Sequence, residues 1–267
     1  REAGLNWHEA DEQTLGHWLD EAVDAAAERE AGGVLRTRAS LRFLVNLYQR
    51  ALRDRVRSLC AESRASAFRQ RYAEASFGYE TSPFEAPRIA LGGGRAMQVR
   101  GLVDRVDEAS GPDGATWIRA IDFKSGRTAF APALAVRAIQ IQLPLYLMAL
   151  ASGRPGSCRP AGFLYSPLFA AMQTAAGPAD EGEEAAELRN YRALGMFSRG
   201  VANAMDTTLE PGQNSKFVRL YMMNDGCYSD NERKSDAVAD EDLALLLGHV
   251  RELLCQLGKE LLSGKAA

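Results

Sequence analysis

Two short apolar runs, each carrying an acidic residue near its end and joined by a turn, constrain the fold of this chain most. The first run, AMQVRGLVDRV, contains Asp104, and the second, ATWIRAIDF, contains Asp122 two residues before Lys124. Their β-branched and aromatic residues predict strands. The GPDG sequence between them predicts a hairpin turn. We therefore expect adjacent strands that bring Asp104 and Asp122 together.

The residue types at this hairpin suit metal-dependent phosphodiester hydrolysis. The anionic oxygens of a phosphodiester repel hydroxide, and Mg²⁺ neutralises them while lowering the pKa of bound water. Mg²⁺ prefers oxygen ligands, which Asp104 and Asp122 could supply. Asp122 and Lys124 project from one face of a strand. Lys124 would then lie near the metal, whose charge should depress the lysine pKa, and could hold the phosphate or orient the attacking water.

An acid-x-Lys triplet is a weak signal by itself. A second one, Glu232-Arg233-Lys234, lies in a polar loop with no strand before it, and we interpret it as accidental. The first ends an apolar strand beside a matched aspartate, and it uses lysine in a chain where 27 of 32 basic residues are arginine. Because arginine does not lose its proton, lysine here indicates a chemical requirement. A surface Asp–Lys pair at a strand end is the alternative.

The remaining periodicity predicts helices alternating with strands. Helices are expected over residues 11–30, from Ser40 as N-cap to Glu74, over Ala131–Ser152, over 181–206 and over Asp240–Leu262. Pro144 should kink the third helix or mark a later helix start. Further strands are expected at RIAL, AGFLYSPL and KFVRLYMM. We predict one domain over 1–267, with 1–75 as a helical flank and 76–267 as the sheet-containing core.

Composition and chain ends narrow the class of protein. No apolar run reaches the length of a membrane span, and the first residues, REAGLNWHEADEQ, lack the apolar core of a signal peptide. They also lack a methionine, which indicates a fragment of a longer protein. The four cysteines form no CxxC pair, so their spacing indicates neither a zinc nor an iron–sulfur site. A reducing cytoplasm is expected.

Charge is distributed unevenly along the chain. Residues 36–71 contain ten arginines but only Asp54 and Glu62 as acids, a local charge of +8. Because the net charge of the whole chain is −3, the rest of the chain carries −11. Such a segment can face nucleic-acid phosphates. The alternative is a solvated helix face. The candidate DNA-binding residues are Arg50, Arg53, Arg57 and Arg64.

The motifs GLVDRVD, AIDFKSG and QLPLY together resemble the RecB-like nucleases of the PD-(D/E)xK superfamily, which have an Asp strand, a DxK strand and a Q-x-x-x-Y helix. The likeness is closer to the C-terminal nuclease domains of the AddB family, subunits of bacterial helicase–nucleases that process double-strand breaks. Looser similarities, at ASFGYE, AGFLYSPL, YRALGMFSRGVANAMD and VRELLCQLGKELLSGK, extend over most of the chain. The resemblance implies an α/β, restriction-endonuclease-like mixed sheet flanked by helices.

The resemblance also implies roles for individual residues. Asp104 and Asp122 would bind metal, the Phe123 carbonyl could add a ligand, and Lys124 would be catalytic. The two remaining positions, Gln142 and Tyr146, would brace the site and substrate. Without the family they would be interpreted as a polar helix edge and a core aromatic residue.

The chain departs from this family in two places. The first family helix usually reads G-x-x-x-H with a metal-binding histidine, whereas this chain has Gly16 and Asp20 at those positions. Asp20 could bind metal through oxygen, but a lost histidine also fits lost activity. His17 is displaced by nearly a turn and is interpreted as a surface or packing residue. Many AddB proteins also carry an iron–sulfur cluster after the last helix, and none is expected within this chain.

Together these observations favour a nuclease that depends on Mg²⁺ or Mn²⁺. It would act on DNA, as an exonuclease on single strands leaving 5′-phosphates, within a bacterial repair helicase–nuclease of the cytoplasm. A second hypothesis is an inactive nuclease-like module that binds DNA or holds partner subunits together. A third is a metal hydrolase that does not act on nucleic acid.

Overall fold

A computed structural model describes residues 11–31, 34–111, 114–152, 158–170 and 183–264. The helices are α1 (Glu12–Ala31), α2 (Val34–Thr37), α3 (Ala39–Ala65), α4 (Pro132–Val136), α5 (Gln142–Ser152), α6 (Glu183–Asn190), α7 (Ala202–Met205) and α8 (Asp240–Leu262). The strands are β1 (Arg69–Phe77), β2 (Arg88–Gly92), β3 (Arg95–Gln98), β4 (Gly101–Ser110), β5 (Thr116–Lys124), β6 (Cys158–Pro167), β7 (Leu194–Ser198) and β8 (Ala237–Val238).

Six of these strands form one mixed sheet in the order β1-β4-β5-β6-β7-β8, and β2 and β3 form a separate hairpin. The pairs β1/β4, β4/β5 and β6/β7 are antiparallel, whereas β5/β6 and β7/β8 are parallel. The expected α/β fold, a mixed sheet flanked by helices, is confirmed. A parallel β5/β6 pair needs a crossover connection, and α5 lies between the two strands in sequence and packs against both.

The predicted hairpin of the two acidic strands is also confirmed. Arg105 of β4 lies opposite Ile121 of β5. Asp104 and Asp122 follow directly beyond this last pair, and alternation places both side chains on the face opposite to that of Arg105 and Ile121. The middle of β5 is buried on both faces, which explains its nearly continuous apolar sequence.

The sheet separates two hydrophobic layers. On one face, Ile118 and Ala120 of β5 pack in a cluster that also contains residues of α5, α8 and the β2–β3 hairpin. On the other face, Ile121 joins a cluster with Phe68 and residues of α7. Helix α3 covers this second face, because its Glu62 contacts a side chain of β5 that alternates with Ile118 and Ala120.

The helix expected from Ser40 to Glu74 is shorter than predicted. Arg38, not Ser40, is at the N-cap position of α3, and the helix ends at Ala65. The Ser66 hydroxyl then accepts a hydrogen bond from the Phe68 N–H, which turns the chain into β1. Pairing of β1 with β4 determines the conformation of residues 69–77. The helical flank therefore gives way to the sheet before residue 75.

Other element boundaries also differ from the prediction. The AMQVRGLVDRV run is divided into β3 and β4, and the helix expected over 131–152 is two helices, with Pro144 in the first turn of α5, where a missing N–H is tolerated. The region expected as a helix over 181–206 contains α6, β7, a 3-10 turn at Arg199–Val201 and α7, and its first two residues lie outside the described ranges. KFVRLYMM makes only isolated bridges, because its neighbours are irregular loops.

Two helix boundaries follow directly from their sequences. The Asp11 carboxylate accepts a 2.8 Å hydrogen bond from the Thr14 N–H and so caps α1. Helix α8 has the predicted bounds, Asp240–Leu262, and its first turn carries three acidic residues, which favour the positive end of the helix dipole.

Among the described residues, no helix is both long and apolar enough to cross a lipid bilayer.

Candidate active site

The end of β5 places Asp122 and Lys124 on the face of the sheet that α5 covers. The Asp122 side chain is buried, and its Oδ2 atom lies 2.5 Å from the Nζ atom of Lys124. About a third of the lysine side chain, 34%, is exposed. The ion pair therefore has one end inside the protein and one end open to a substrate.

Asp104 joins this pair from the neighbouring strand. Its Oδ2 atom accepts a 2.7 Å hydrogen bond from the backbone N–H of Phe123. This bond connects the end of β4 to the residue between Asp122 and Lys124. The structure thus brings together the three side chains that the sequence predicted to converge.

Gln142, the first residue of α5, contacts Asp122 of the acidic pair, which consists of Asp104 and Asp122. The Gln142 Nε2 group donates to Asp122 Oδ1 at 3.3 Å and to the Tyr146 hydroxyl oxygen at 2.8 Å. The Tyr146 ring packs edge-on against Phe77, with ring centroids 5.8 Å apart. Gly101 of β4 makes room for both rings, because a Cβ there would lie 2.5 Å from the Phe77 ring.

The pKa values of both members of the ion pair are raised, for different reasons. Burial raises the pKa of Asp122, the nearby Asp104 charge raises it further, and Lys124 opposes both effects. The pKa of Lys124 is itself raised, chiefly by its hydrogen bond to Asp122. We expected a depressed lysine pKa beside a metal. Among the protein's own charges the shift has the opposite sign, because carboxylates lie nearest to the ammonium group.

The donor set fits a divalent cation. Asp122 Oδ2 is buried, and its partner among the described residues is the ammonium group of Lys124. Asp104 supplies a second carboxylate beside it. Nowhere in the described ranges do three His, Cys, Asp or Glu residues converge as a metal site. Two carboxylates nonetheless suffice for Mg²⁺, which keeps several waters and uses substrate phosphate as a ligand.

Asp20, the other predicted metal ligand, has different partners. It accepts a 2.7 Å hydrogen bond from Gln49 Nε2 and a 3.1 Å hydrogen bond from Arg53 Nε, and it forms an ion pair with the same arginine. These contacts lower the pKa of the Asp20 carboxyl. The structure therefore joins Asp20 to α3 and not to Asp104 and Asp122. His17 is exposed beside Glu21, as expected for a surface residue.

The structure does not bring the candidate DNA-binding arginines of α3 to the acidic pair. All four are exposed; Arg53 forms an ion pair with Asp20, and Arg57 forms one with Asp54. Helix α3 lies on the face of β5 that carries Phe123. Asp122 and Lys124 lie on the opposite face of β5.

A buried charge network on the α3 face was not found from the sequence. Asp107 accepts hydrogen bonds from Arg105 and Arg119, and Arg119 also contacts Glu62 of α3 at 3.0 Å. The four residues are buried. The available signal was the placement of charged residues within apolar strands, since charges are seldom buried unless they are paired.

Arg55 of α3 supports the back of the site. Its guanidinium lies 6.0 Å from the Phe123 ring centroid and donates a hydrogen bond to the Ser166 hydroxyl of β6. Burial lowers the pKa of Arg55 to about 10. This side chain links the helix to the two strands whose ends form the site.

The mixed sheet, with Asp104, Asp122 and Lys124 at one end of its inner strands, defines a class of protein, and a family model agrees with that class. This chain belongs to the PD-(D/E)XK nuclease superfamily, whose model matches residues 4–262. Nucleases of this superfamily generally use divalent metal ions. The resemblance inferred from the motifs is therefore confirmed.

Named relatives are consistent with this assignment. The chain is 29% identical to a subunit of the ATP-dependent helicase/deoxyribonuclease of Symbiobacterium thermophilum over 273 residues, which cover 99% of this chain and 23% of that protein. The subunits of the same name from Pelotomaculum thermopropionicum and Clostridium tetani are 29% and 27% identical, over 99% and 97% of this chain and 23% of each relative. The chain thus spans less than a quarter of the length of these relatives.

Proposed function

We propose that this chain is the metal-dependent deoxyribonuclease domain of a longer helicase–nuclease that repairs DNA in the bacterial cytoplasm. The observation that carries the proposal is the convergence of Asp104, Asp122, Lys124 and Gln142 at one end of the sheet. The names of the relatives, which join a helicase to a deoxyribonuclease, support the substrate and the context.

In this proposal, Asp104 and Asp122 hold Mg²⁺ or Mn²⁺, with the Phe123 carbonyl as a further ligand. The bound ion neutralises phosphate oxygens and lowers the pKa of a coordinated water. The two carboxylates at one end of the sheet support the assignment, because Mg²⁺ uses one or two carboxylates and completes its shell with waters and substrate phosphate.

Lys124 acts on the substrate as a cation. A lysine side chain is protonated near neutral pH, and the partial exposure of Lys124 lets it donate to an oxygen of the scissile phosphate and orient the attacking water. It leaves Asp122 Oδ2 when it does so. Gln142 then keeps Asp122 in place through Oδ1, and the Tyr146 hydroxyl keeps Gln142 in place in turn.

The proposed reaction is exonucleolytic on single-stranded DNA and leaves 5′-phosphate ends. The arginines of α3, at positions 50, 53, 57 and 64, would contact backbone phosphates away from the reacting group. Such contacts predict an affinity that falls steeply with salt concentration. No iron–sulfur cluster is assigned to this chain.

The test is cleavage of labelled single-stranded DNA with Mg²⁺ or Mn²⁺ by the parent chain, Asp122→Ala and Lys124→Ala. We expect loss of cleavage in both variants. Cleavage that survives both substitutions would refute the site. A circular single strand that is cut as fast as the linear strand would refute the exonuclease assignment.

A second candidate is an inactive module that binds DNA or holds partner subunits together. The observation that favours it is Asp20, which stands where the family has a metal-binding histidine and is engaged by Arg53 and Gln49. Tight DNA binding by the parent without cleavage in either metal would favour this candidate. Metal-dependent hydrolysis of other esters without DNA affinity would instead favour a hydrolase of another class.

A further inference from the structure

Arginines gather at the end of the sheet that also carries Lys124. The arginine cluster consists of Arg127, which follows β5, Arg189 and Arg192, which precede β7, and Arg219. Arg127, Arg189 and Arg219 lie close enough for their charges to act on Arg192, together with one carboxylate, Asp236. None of these residues entered the site predicted from the sequence.

The register of the sheet places Arg192 at the same end of the sheet as Asp122 and Lys124. Asp122 is paired with Tyr165 of β6, and Tyr165 is paired with Leu194 of β7. Lys124 and Arg192 each lie two residues further toward the same end of the sheet. Two strand spacings, about 10 Å, separate the backbones of Asp122 and Leu194.

The cluster lies on the catalytic face of the sheet. The ring of Tyr191 lies 5.4 Å from the Arg55 guanidinium, on the side that α3 covers. Ala193 packs in the cluster on that same side, and Met196 of β7 packs in the cluster on the opposite side, with Ala120 of β5. Because side chains alternate along a strand, Arg192, directly before Ala193, is directed to the side of Asp122. Helix α3 packs on the opposite face of β5, so the cluster supplies basic charge on the face of Asp122 and Lys124.

Arg192 lacks a partner for a group that needs one. Its Nε atom is buried, and no described residue hydrogen-bonds to it. Burial and the neighbouring arginines lower its pKa. Asp236 does not neutralise it, because that carboxylate pairs with Arg219 and accepts a 3.0 Å hydrogen bond from the Gly195 N–H.

Arg127 is free to bind a ligand. Its side chain is exposed, and it forms no ion pair or hydrogen bond with the described residues. It lies three residues after Lys124, in the segment that follows β5. Like charges held together without a counterion cost free energy, and an anion bound between them removes that cost. Guanidinium groups suit phosphate, whose oxygens accept paired hydrogen bonds.

We propose that Arg127 and Arg192 bind a backbone phosphate of the nucleic-acid strand next to the scissile phosphodiester. The inference rests on the proposed nuclease function, because it assumes that the substrate passes Lys124. Arg192 is a fixed, partly buried contact, and Arg127 closes on the same phosphate from the exposed side. The site reads the backbone and not the bases.

The test measures binding without cleavage. A short labelled single-stranded DNA is titrated with the full chain in EDTA, by fluorescence anisotropy, between about 50 and about 200 mM salt. The variants are Arg127→Ala, Arg192→Gln and Arg192→Lys. The matched control is Arg159→Ala, an exposed arginine beside Trp117, at the opposite end of β6.

We expect Arg127→Ala and Arg192→Gln each to weaken binding about 10-fold, as loss of a charge-assisted hydrogen bond predicts. Each should also reduce the slope of log affinity against log salt by about 0.7. Arg192→Lys keeps the charge and loses the planar fork, so it should fall between the parent and Arg192→Gln. Arg159→Ala should bind like the parent.

Unchanged affinity and slope in both Arg127→Ala and Arg192→Gln would overturn the inference. If circular dichroism shows that Arg192→Gln is unfolded, Arg127→Ala and Arg192→Lys decide the question. A loss equal to that of Arg159→Ala would also overturn it, because the effect would then be one of net charge.

Cleavage measured in parallel separates this inference from the proposed function. A parent that cleaves DNA while the variants bind normally refutes the arginine site alone. A parent that never cleaves, but whose binding depends on Arg127 and Arg192, refutes the nuclease function alone. A parent that neither binds nor cleaves refutes both.

Discussion

The backbone N–H of Phe123 donates a 2.7 Å hydrogen bond to the carboxylate of Asp104. This bond fixes the acid of β4 against the strand that carries Asp122 and Lys124. Because Phe123 also lies against the buried Arg55 of α3, the position of the acidic pair depends on both layers of the protein.

The clearest prediction concerns Asp122 and Lys124. Asp122→Asn and Lys124→Gln should each reduce cleavage of single-stranded DNA at least about 100-fold, since each removes a group that acts on the reacting phosphate. The second acid-x-Lys triplet offers a matched control. Glu232→Gln and Lys234→Gln should cleave like the parent, and an equal loss in these controls would contradict the assignment.

Titration of Asp122 provides a second prediction. Its raised pKa means that the carboxyl group stays protonated to higher pH than an ordinary aspartic acid. Since the neutral acid is a poor metal ligand, affinity for Mg²⁺ or Mn²⁺ should be lost as the pH falls through this raised value. Isothermal titration over a pH series measures that loss.

Lys124 limits the rise in the pKa of Asp122. In the protein without added metal, Lys124→Gln removes the contribution that lowers the Asp122 pKa. The carboxyl resonance of Asp122 should then titrate at still higher pH than in the parent. A shift to lower pH would show that the ion pair in the structure does not form in solution.

Asp20 tests the departure from the family histidine. Its carboxylate is held by Arg53 and Gln49, so Asp20→Asn should leave metal affinity and cleavage within about 2-fold of the parent, as for a surface ion pair that contributes little. Asp104→Asn should abolish both. A loss in Asp20→Asn as large as that in Asp104→Asn would make Asp20 a ligand after all.

The buried network predicts a strong effect on stability. Asp107→Asn leaves Arg105 and Arg119 without their shared carboxylate, and breaking a buried pair in this way costs about 3 to 5 kcal/mol. The isosteric control Asp54→Asn breaks an exposed pair and should cost less than about 1 kcal/mol. Urea unfolding of both variants compares the two. Equal midpoints would show that the network adds nothing.

Local sequence determined much of this protein. The β4–β5 hairpin, the bounds of α8 and the convergence of Asp104, Asp122 and Lys124 followed from apolar periodicity, turn residues and the alternation of side chains along a strand. These properties depend on neighbours in the chain. Gln142 and Tyr146 are assigned from the family alone. A polar and an aromatic residue one helical turn apart indicate no function until the packing of α5 on β5 brings Gln142 to Asp122.

Tertiary structure decided the rest. Residues 69–74 lie within the helix that the sequence predicts, but β4 offers them a strand to pair with, and pairing overrides local propensity. The contact of Asp20 also depends on tertiary structure, because its partner Arg53 is 33 positions away in the chain. Arg127 and Arg192 come close enough for their charges to interact only because β5 ends and β7 begins at the same end of the sheet. Contacts between distant segments leave no periodic signal in a single sequence, so only the folded chain contains them.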